Sequence, residues 1–225
     1  MILAVDTSTG TLGIAVSESG RILSRVQVDT GRRHSEVFMK YLVQALAKAK
    51  TGLEEISKIA CTTGPGSFTG IRVGLTACRM FSQVLEVPLV GVSTLDVLAE
   101  SCAAEYGKEK GTLICPVIAA QQEEVYSALY RTAGAGRARR ISAYTCRKIG
   151  VLLKELGKKG GRVILNGDAV LLYPDMIKSK IRKAVIHGGK NLLPFVEVLA
   201  SIAERSKGRP YGKAVPEYVL PPRIR

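Results

Sequence analysis

The sequence lacks the features that define several broad classes of protein. No apolar run approaches the roughly 20 residues that a membrane-spanning helix needs. The opening MILAVDTSTG has neither the basic start nor the small-residue cleavage site of a signal peptide. We therefore expect a cytoplasmic protein. Its 225 residues, 46% of them hydrophobic, are enough for one large domain or two small ones.

Side chains that bind metals or act as nucleophiles are also scarce. The chain has five cysteines, none in a C-x-x-C pair, and only two histidines, His34 and His187. A metal-binding helix that begins at His34 would need a second ligand one turn later, where the sequence has Phe38. No serine, cysteine or carboxylate stands in a pattern typical of a nucleophile with its base. We interpret the cysteines as small buried hydrophobic residues and predict no metal site.

A glycine-rich stretch, TTGPGSFTGIRVGLTACRM at residues 62–80, lies between an apolar run and a helical pattern. It matches neither the P-loop nor the G-x-G-x-x-G fingerprint, because its first three glycines give G-x-G-x-x-x-G and no lysine follows. Its backbone N–H groups at a helix start still suit an anion, as does the turn after Asp6. The candidate anion- or nucleotide-binding residues are Asp6, Thr7, Ser8, Thr9, Gly64, Gly66, Ser67 and Thr69. The alternative is that Asp6 only forms the turn.

The order of predicted elements indicates a duplicated α/β fold. Apolar alternation predicts three antiparallel strands in residues 2–29, and helices then alternate with strands up to residue 106. The second half repeats this order loosely, with strands at 112–120, 124–131 and 140–146 and a final helix near 192–205. We expect subdomains 1–106 and 107–225, each with a mixed sheet covered by helices, and the last helix packing back on the first subdomain.

Positive charge is concentrated in the second half of the chain. Residues 1–110 carry 12 lysines and arginines against 11 acidic residues, whereas residues 111–225 carry 21 against 8. Basic clusters lie at 137–140, 158–162 and 178–183. They fit either a surface for nucleic acid phosphates or a solvated basic face, and both interpretations stay open.

Several stretches taken together resemble the TsaB (YeaZ) family: ILAVDTSTGTLGIAV near the start, RRHSE, the GPGSFTGIR loop, PLVGVSTLDVLA and NGD at 166–168. The resemblance implies an actin-like ATPase (ASKHA, ribonuclease H-like) fold of two related subdomains. It also implies a role in the bacterial formation of N6-threonylcarbamoyladenosine at position 37 of tRNAs that read ANN codons. The second half departs from the family pattern at Ala119, Gln121 and Gln122.

In that family TsaB is the non-catalytic paralogue of TsaD, whose H-x-x-x-H metal site is absent here. The resemblance implies that the chain binds a TsaD-like subunit through its N-terminal subdomain, forms a homodimer when alone, and works with a TsaE-like ATPase. No cofactor is expected on the chain itself; ATP or ADP and tRNA are expected only through the complex. The expected partner or dimer interface is His34, Phe38, Tyr41, Phe68, Ile71, Gly74, Leu75 and Cys78.

Two other classes remain open on the sequence alone. One is a stand-alone enzyme of the actin-like fold, such as a small kinase or a metalloprotease, and the other is a basic RNA-binding module. Turnover by the lone chain would indicate the first, and salt-dependent RNA binding would indicate the second.

Overall fold

A computed structural model describes residues 1–31, 33–106, 111–187, 196–210 and 215. The chain divides into two compact units. Unit 1 contains Met1–Val97 and a helix near the C-terminus, and unit 2 begins at Leu98. The boundary therefore falls inside the helix Thr94–Tyr106, whereas we expected it between residues 106 and 107. No helix in the described ranges is long and apolar enough to span a membrane.

Unit 1 is built around a five-stranded sheet. Its elements are β1 (Ile2–Asp6), β2 (Thr11–Glu18), β3 (Arg21–Asp29), α1 (His34–Ala49), a 3₁₀ turn (Leu53–Glu55), β4 (Lys58–Gly64), α2 (Phe68–Val84), β5 (Leu89–Ser93) and the start of α3 (Thr94–Tyr106). The strand order is β3-β2-β1-β4-β5. The first three strands pair antiparallel, and β1, β4 and β5 run parallel.

The central strand β1 shows why this sheet needs helices on both faces. All five of its residues are buried. Leu3 and Val5 belong to the apolar cluster that includes α1 and α2 side chains, while Ile2 and Ala4 belong to the cluster of the last helix, α7. Because successive residues of a strand point to opposite faces, this alternation produces a helix–sheet–helix sandwich. The last helix accordingly packs on the first sheet.

Unit 2 contains the remaining described elements, apart from α7 (Val196–Glu204). They are β6 (Leu113–Ala119), β7 (Glu124–Ser127), β8 (Tyr130–Gly134), β9 (Arg137–Arg140), β10 (Thr145–Lys148), α4 (Ile149–Lys159), β11 (Val163–Asn166), α5 (Ala169–Leu172), α6 (Pro174–Lys180) and β12 (Ala184–Ile186). The main strand order is β10-β7-β6-β11-β12, with β8 beside β6 and β9 beside β8. The predicted helix residues 192–195 lie outside the described residues.

The second sheet repeats the first with two of its strands broken. Both β7 and β8 pair antiparallel with β6, and the pairs Val117–Ser127 and Ile114–Tyr130 follow one register. The gap between them lies at Pro116, which has no N–H to donate to a ladder. We therefore read β7 with β8, and β9 with β10, as broken counterparts of β2 and β3. The predicted single strands 124–131 and 140–146 each miss such a break.

Candidate functional site

The turn after β1 and the glycine-rich loop after β4 lie directly against each other. The Ser67 amide donates a 2.7 Å hydrogen bond to the Ser8 carbonyl. The Thr7 hydroxyl donates to the Gly70 carbonyl at 2.8 Å. The structure thus brings together the eight candidate anion-binding residues, but several of their donors already bond to the opposite turn.

Three glycines permit this close approach. A methyl group on Gly66 would lie 2.1 Å from the Ser8 carbonyl oxygen, and one on Gly70 would lie 2.1 Å from the Thr7 carbonyl oxygen. A methyl on Gly74 would lie 2.2 Å from the Thr7 hydroxyl oxygen. These glycines therefore let the loop after β4 and the first turns of α2 pack closely against the turn after β1.

Asp6 is a buried acceptor at the centre of this arrangement. Its Oδ1 accepts hydrogen bonds from the Ser8 amide at 3.0 Å, the Ser8 hydroxyl at 2.7 Å and the Thr62 hydroxyl at 2.6 Å. Burial raises the pKa of the Asp6 carboxyl, and the hydrogen bonds from Thr62 and Ser8 oppose that rise. The side chain therefore holds the β1 turn against the end of β4, which is the turn-forming alternative for this residue.

The other candidate anion-binding residues differ in exposure. Thr7, Ser8 and Gly64 are buried, Thr9 and Gly66 are half-buried, and Ser67 and Thr69 are exposed. Ser67 caps α2, because its hydroxyl accepts the Gly70 amide at 3.2 Å. Within the described ranges no group of three His, Cys, Asp or Glu side chains is arranged to hold a metal ion.

His34 connects the first helix to the same turn. Its Nε2 lies 2.8 Å from the Thr9 carbonyl, and its Nδ1 lies 3.0 Å from the Thr30 hydroxyl. Since a carbonyl can only accept, Nε2 carries the proton in this arrangement. His34 is buried and bridges two loops of its own chain. Sequence reasoning missed Thr30, although its position four residues before His34 beside a Gly-rich turn was a usable signal.

The predicted interface needs a correction. Six of its eight residues are buried in unit 1: His34, Phe38, Ile71, Gly74, Leu75 and Cys78. Tyr41 is half-buried, and Phe68 is exposed with the Arg72 guanidinium 4.9 Å from its ring centroid. The apolar periodicity of α1 and α2 marks the face that packs on the sheet, as it does in most amphipathic helices. The exposed side chains of these helices lie on their outer face, away from the sheet.

That outer face carries apolar side chains that the sequence analysis overlooked. Met39 and Val43 are exposed on α1, and Met80 and Val84 are exposed on α2. Each pair has i, i+4 spacing and so lies on one side of its helix. The two helices contact each other, with the rings of Phe38 and Phe81 stacked at 6.5 Å. The signal was the second apolar pair on each helix, outside the main stripe.

In unit 2, the ends of β6 and β11 are likewise held together through an aspartate and a glycine. The Asp168 carboxylate accepts the Ala119 amide at 2.8 Å, and burial raises its pKa. A methyl on Gly167 would lie 2.1 Å from the Val117 carbonyl oxygen. Ala119 contributes its backbone to this contact, and Gln121 and Gln122 lie exposed in the following turn. The departures from the family pattern therefore fall where the closure needs no particular side chain.

Solved structures of similar shape identify the class of fold. An uncharacterized Pseudomonas aeruginosa protein with similarity to the peptidase YEAZ matches with a TM-score of 0.82 and 24% identity, covering 97% of this chain and 99% of that one. An ROK hexokinase from Thermus thermophilus matches with a TM-score of 0.52 and 13% identity, covering 89% and 97%. The fold is that of the actin-like ATPases, as the resemblance implied.

Sequence comparison then gives the family. The family model described as "TsaD: tRNA N6-adenosine threonylcarbamoyltransferase" matches residues 26–190. The Bacillus subtilis protein TsaB is 27% identical over 219 residues, covering 97% of this chain and 93% of its own. The Escherichia coli TsaB is 28% identical over 202 residues, covering 90% and 85%. The chain belongs to this family and, within it, to the TsaB (YeaZ) group.

Proposed function

We propose that this chain is the non-catalytic partner of a TsaD-like transferase in forming N6-threonylcarbamoyladenosine at position 37 of tRNAs that read ANN codons. Its Bacillus subtilis and Escherichia coli relatives are tRNA threonylcarbamoyladenosine biosynthesis proteins. A TsaE-like ATPase joins the complex, and ATP or ADP enters with the complex, in the cytoplasm. The chain itself needs no cofactor.

The observation that carries the proposal is the set of exposed apolar side chains on α1 and α2: Met39, Val43, Met80 and Val84. Val43 is 61% exposed and Val84 is 73% exposed, although both stand on helices whose other faces are buried. Soluble proteins keep large apolar side chains together on a surface mainly where another protein covers them. The occupant is a TsaD-like subunit, and a second copy of the chain takes its place when that subunit is absent.

The closed loops support the non-catalytic part of the proposal. In this chain the turn after β1 and the loop after β4, where the sequence suits an anion, contain Asp6 and Gly66. Here the Ser8 carbonyl and Gly66 are in direct contact. The hydroxyls of Ser8 and Thr62 bond to Asp6. These groups stabilise the fold of unit 1 and do not need a bound phosphate.

The test is co-purification with a tagged TsaD-like subunit from the same genome. We expect the variant Val43→Asp/Val84→Asp to bind more than about 100-fold more weakly, because each new carboxylate would be buried at the contact. The matched control is Val151→Asp, since Val151 is 50% exposed on helix α4 of unit 2. It should bind as the unaltered chain does.

Three results would count against the proposal. Binding of the double variant within about 3-fold of the unaltered chain would exclude this face as the contact. Equal loss in Val151→Asp would show an effect of charge alone. ATP turnover by the lone chain that disappears in Asp6→Ala would favour the stand-alone enzyme.

A further inference from the structure

Positive charge is concentrated in unit 2 and at one end of it. Residues 98–187 carry 16 lysines and arginines against 8 acidic residues, whereas residues 1–97 carry 10 against 8. Two of the basic clusters, 158–162 and 178–183, are about 20 residues apart in sequence. The fold determines whether they form one surface.

Backbone contacts bring these two clusters together. Helices α4 and α6 end side by side, because a methyl on Gly157 would lie 2.4 Å from the Lys180 carbonyl oxygen. Strands β11 and β12 begin side by side, because Val163 pairs with Ala184 and the Val163 amide donates to the Lys183 carbonyl. Six exposed basic residues therefore meet at this end, which we call the basic corner: Lys158, Lys159, Arg162, Lys180, Arg182 and Lys183.

The same edge of the sheet carries further arginines. Ala184 on β12 pairs with Val163 on β11, which pairs with Leu113 on β6. Leu113 pairs with Arg131 on β8, which pairs with Arg139 on β9, so these five residues form one row across the sheet. Neighbouring strands are about 4.8 Å apart, so this row spans about 20 Å. The basic corner and these two arginines therefore lie along the same side of the sheet.

Three carboxylates of unit 2 have partners outside the corner. Glu155 pairs with Arg147 at 2.7 Å, Glu105 lies 3.0 Å from His187, and Asp168 accepts the Ala119 amide. None of the six corner residues forms an ion pair with a described acidic residue. The negative ends of α4 and α6 favour lysines in their last turns. They do not account for Arg162, Arg182 and Lys183, which lie outside the helices.

We infer that the basic corner binds the phosphate backbone of folded RNA, so that this subunit helps to hold the tRNA. The choice of RNA rests on the proposed function, whose substrate is a tRNA. A membrane surface fits less well, because a membrane site combines basic with exposed apolar side chains. Of the exposed apolar residues on α4, α5 and β12, Val151 lies in the first turn of α4, Leu171 and Leu172 lie on α5, and Ile186 ends β12. The corner lies at the other end, where α4 and α6 end and β11 and β12 begin.

Recognition of the phosphate backbone predicts little selectivity between tRNA sequences. Lysine and arginine contacts to phosphates position an RNA and carry no sequence information. Among the described residues, the Tyr106 ring lies beside the corner and has the Arg162 guanidinium 5.5 Å from its centroid. The lone chain should therefore bind a tRNA that reads ANN codons and one that does not with affinities within about 3-fold of each other.

The experiment measures binding of the full chain to an unmodified tRNA transcript by fluorescence anisotropy, between about 50 and 300 mM potassium chloride. The variant is Lys159→Gln/Arg182→Gln/Lys183→Gln. It should reduce the slope of log Kobs against log salt by about 2 to 3, and weaken binding at about 100 mM salt by more than about 30-fold. The control, Arg21→Gln/Lys207→Gln/Arg209→Gln in unit 1, removes the same charge and should weaken binding by less than about 3-fold.

Several outcomes would overturn the inference: no binding of either transcript at the lowest salt, equal weakening by both triple variants, or a tenfold preference between the transcripts. Tighter binding to phosphatidylserine vesicles or polyglutamate than to tRNA would also overturn it. The corner variant should still co-purify with the TsaD-like subunit, and Val43→Asp/Val84→Asp should still bind RNA. Failure of this inference and failure of the proposed function are therefore distinguishable.

Discussion

Unit 1 and unit 2 share one strand layout but present different surfaces. The order β3-β2-β1-β4-β5 corresponds to β10-β7-β6-β11-β12, with the same parallel and antiparallel pairs. Helix α1 precedes β4 as α4 precedes β11, and α2 precedes β5 as α6 precedes β12. Corresponding helix pairs therefore cover corresponding faces. The difference between the units lies in what those helices expose.

The exposed sides of the two helix pairs differ in their share of large apolar and basic residues. On α1 and α2 the exposed residues include Met39, Val43, Met80 and Val84. On α4 and α6 they include Lys154, Lys158, Lys178 and Lys180. The inner faces of both pairs are apolar and belong to the cores. A duplicated fold thus keeps its buried pattern, since packing demands it, while its outer faces are free to diverge toward different partners.

The largest loss of stability should come from adding a methyl group to a glycine that lies against a backbone carbonyl oxygen. Each unit has such a glycine after one of its central parallel strands. Gly66→Ala and Gly167→Ala each place a methyl about 2.1 Å from a backbone carbonyl oxygen, which cannot rotate away. Both glycines also have positive φ, 154° and 110°. We expect each change to lower the free energy of unfolding by about 3 kcal/mol or more, measured by urea denaturation.

The control for these changes is Gly10→Ala in the β1–β2 turn. The nearest atom to its added methyl is 3.8 Å away, an ordinary contact. Its effect should stay within about 0.5 kcal/mol. If Gly66→Ala were as mild as Gly10→Ala, the contact between Gly66 and the Ser8 carbonyl would not be needed for the fold of unit 1. Gly167→Ala tests the same point in unit 2 independently.

The sequence predicted unit 1 far better than unit 2. Strong alternation and short turns placed the strands of residues 2–29 within a residue or two of β1, β2 and β3. In unit 2 the breaks in β7–β8 and β9–β10 follow from pairing with distant residues such as Pro116, which local periodicity does not report. The short helices α5 and α6 were not predicted, because four and seven residues carry too little of a helical period.

The sequence predicted which residues the candidate site contains, but it did not predict how the two turns pack. Sequence reasoning named Asp6, Ser67 and Gly66 as anion-binding candidates, from the turn after the first strand and from the glycine-rich helix start. It could not tell that the two turns contact each other, because that depends on distances between backbones. Likewise, helical spacing gave the apolar face of α2, but the buried and partner-facing sides of a helix share one period.

A smaller loss of stability should follow the removal of the His34 imidazole. In His34→Ala the Thr9 carbonyl loses its donor and a cavity opens beneath the start of α1. We expect a loss of about 2 to 3 kcal/mol in the free energy of unfolding. Measurement by urea denaturation should give partial recovery in His34→Gln, whose amide retains an N–H donor.

A second histidine change, His187→Ala in unit 2, tests a buried imidazole whose pKa is shifted. Burial lowers the pKa of His187, and the neighbouring Glu105 opposes that shift. Its folded form therefore resists protonation, and its contribution to stability is lost as pH falls through the ordinary histidine value of 6.5. The loss of stability in His187→Ala should thus depend on pH near that value.

For the His34 prediction, a His34→Ala variant as stable as the unaltered chain would contradict the bridging role of His34.

The smallest effect should come from Asp6→Asn, and its sign tests what Asp6 is for. The pKa of Asp6 is raised from 3.8, so between 3.8 and the raised value the folded state keeps a proton that the unfolded state has lost. Stability therefore falls as pH rises through that window, and the loss persists above it. An asparagine Oδ1 can accept the same bonds from Ser8 and Thr62 without a buried charge. Asp6→Asn should remove this slope and leave the chain as stable at neutral pH, or about 1 kcal/mol more stable, by urea denaturation.

Asp6→Asn should also keep co-purification with the TsaD-like subunit, whereas Asp6→Ala should destabilise the chain by leaving three donors without their acceptor. A metal–nucleotide role for Asp6 makes the opposite prediction, because asparagine would then keep the fold and lose the ATP-dependent activity of the complex.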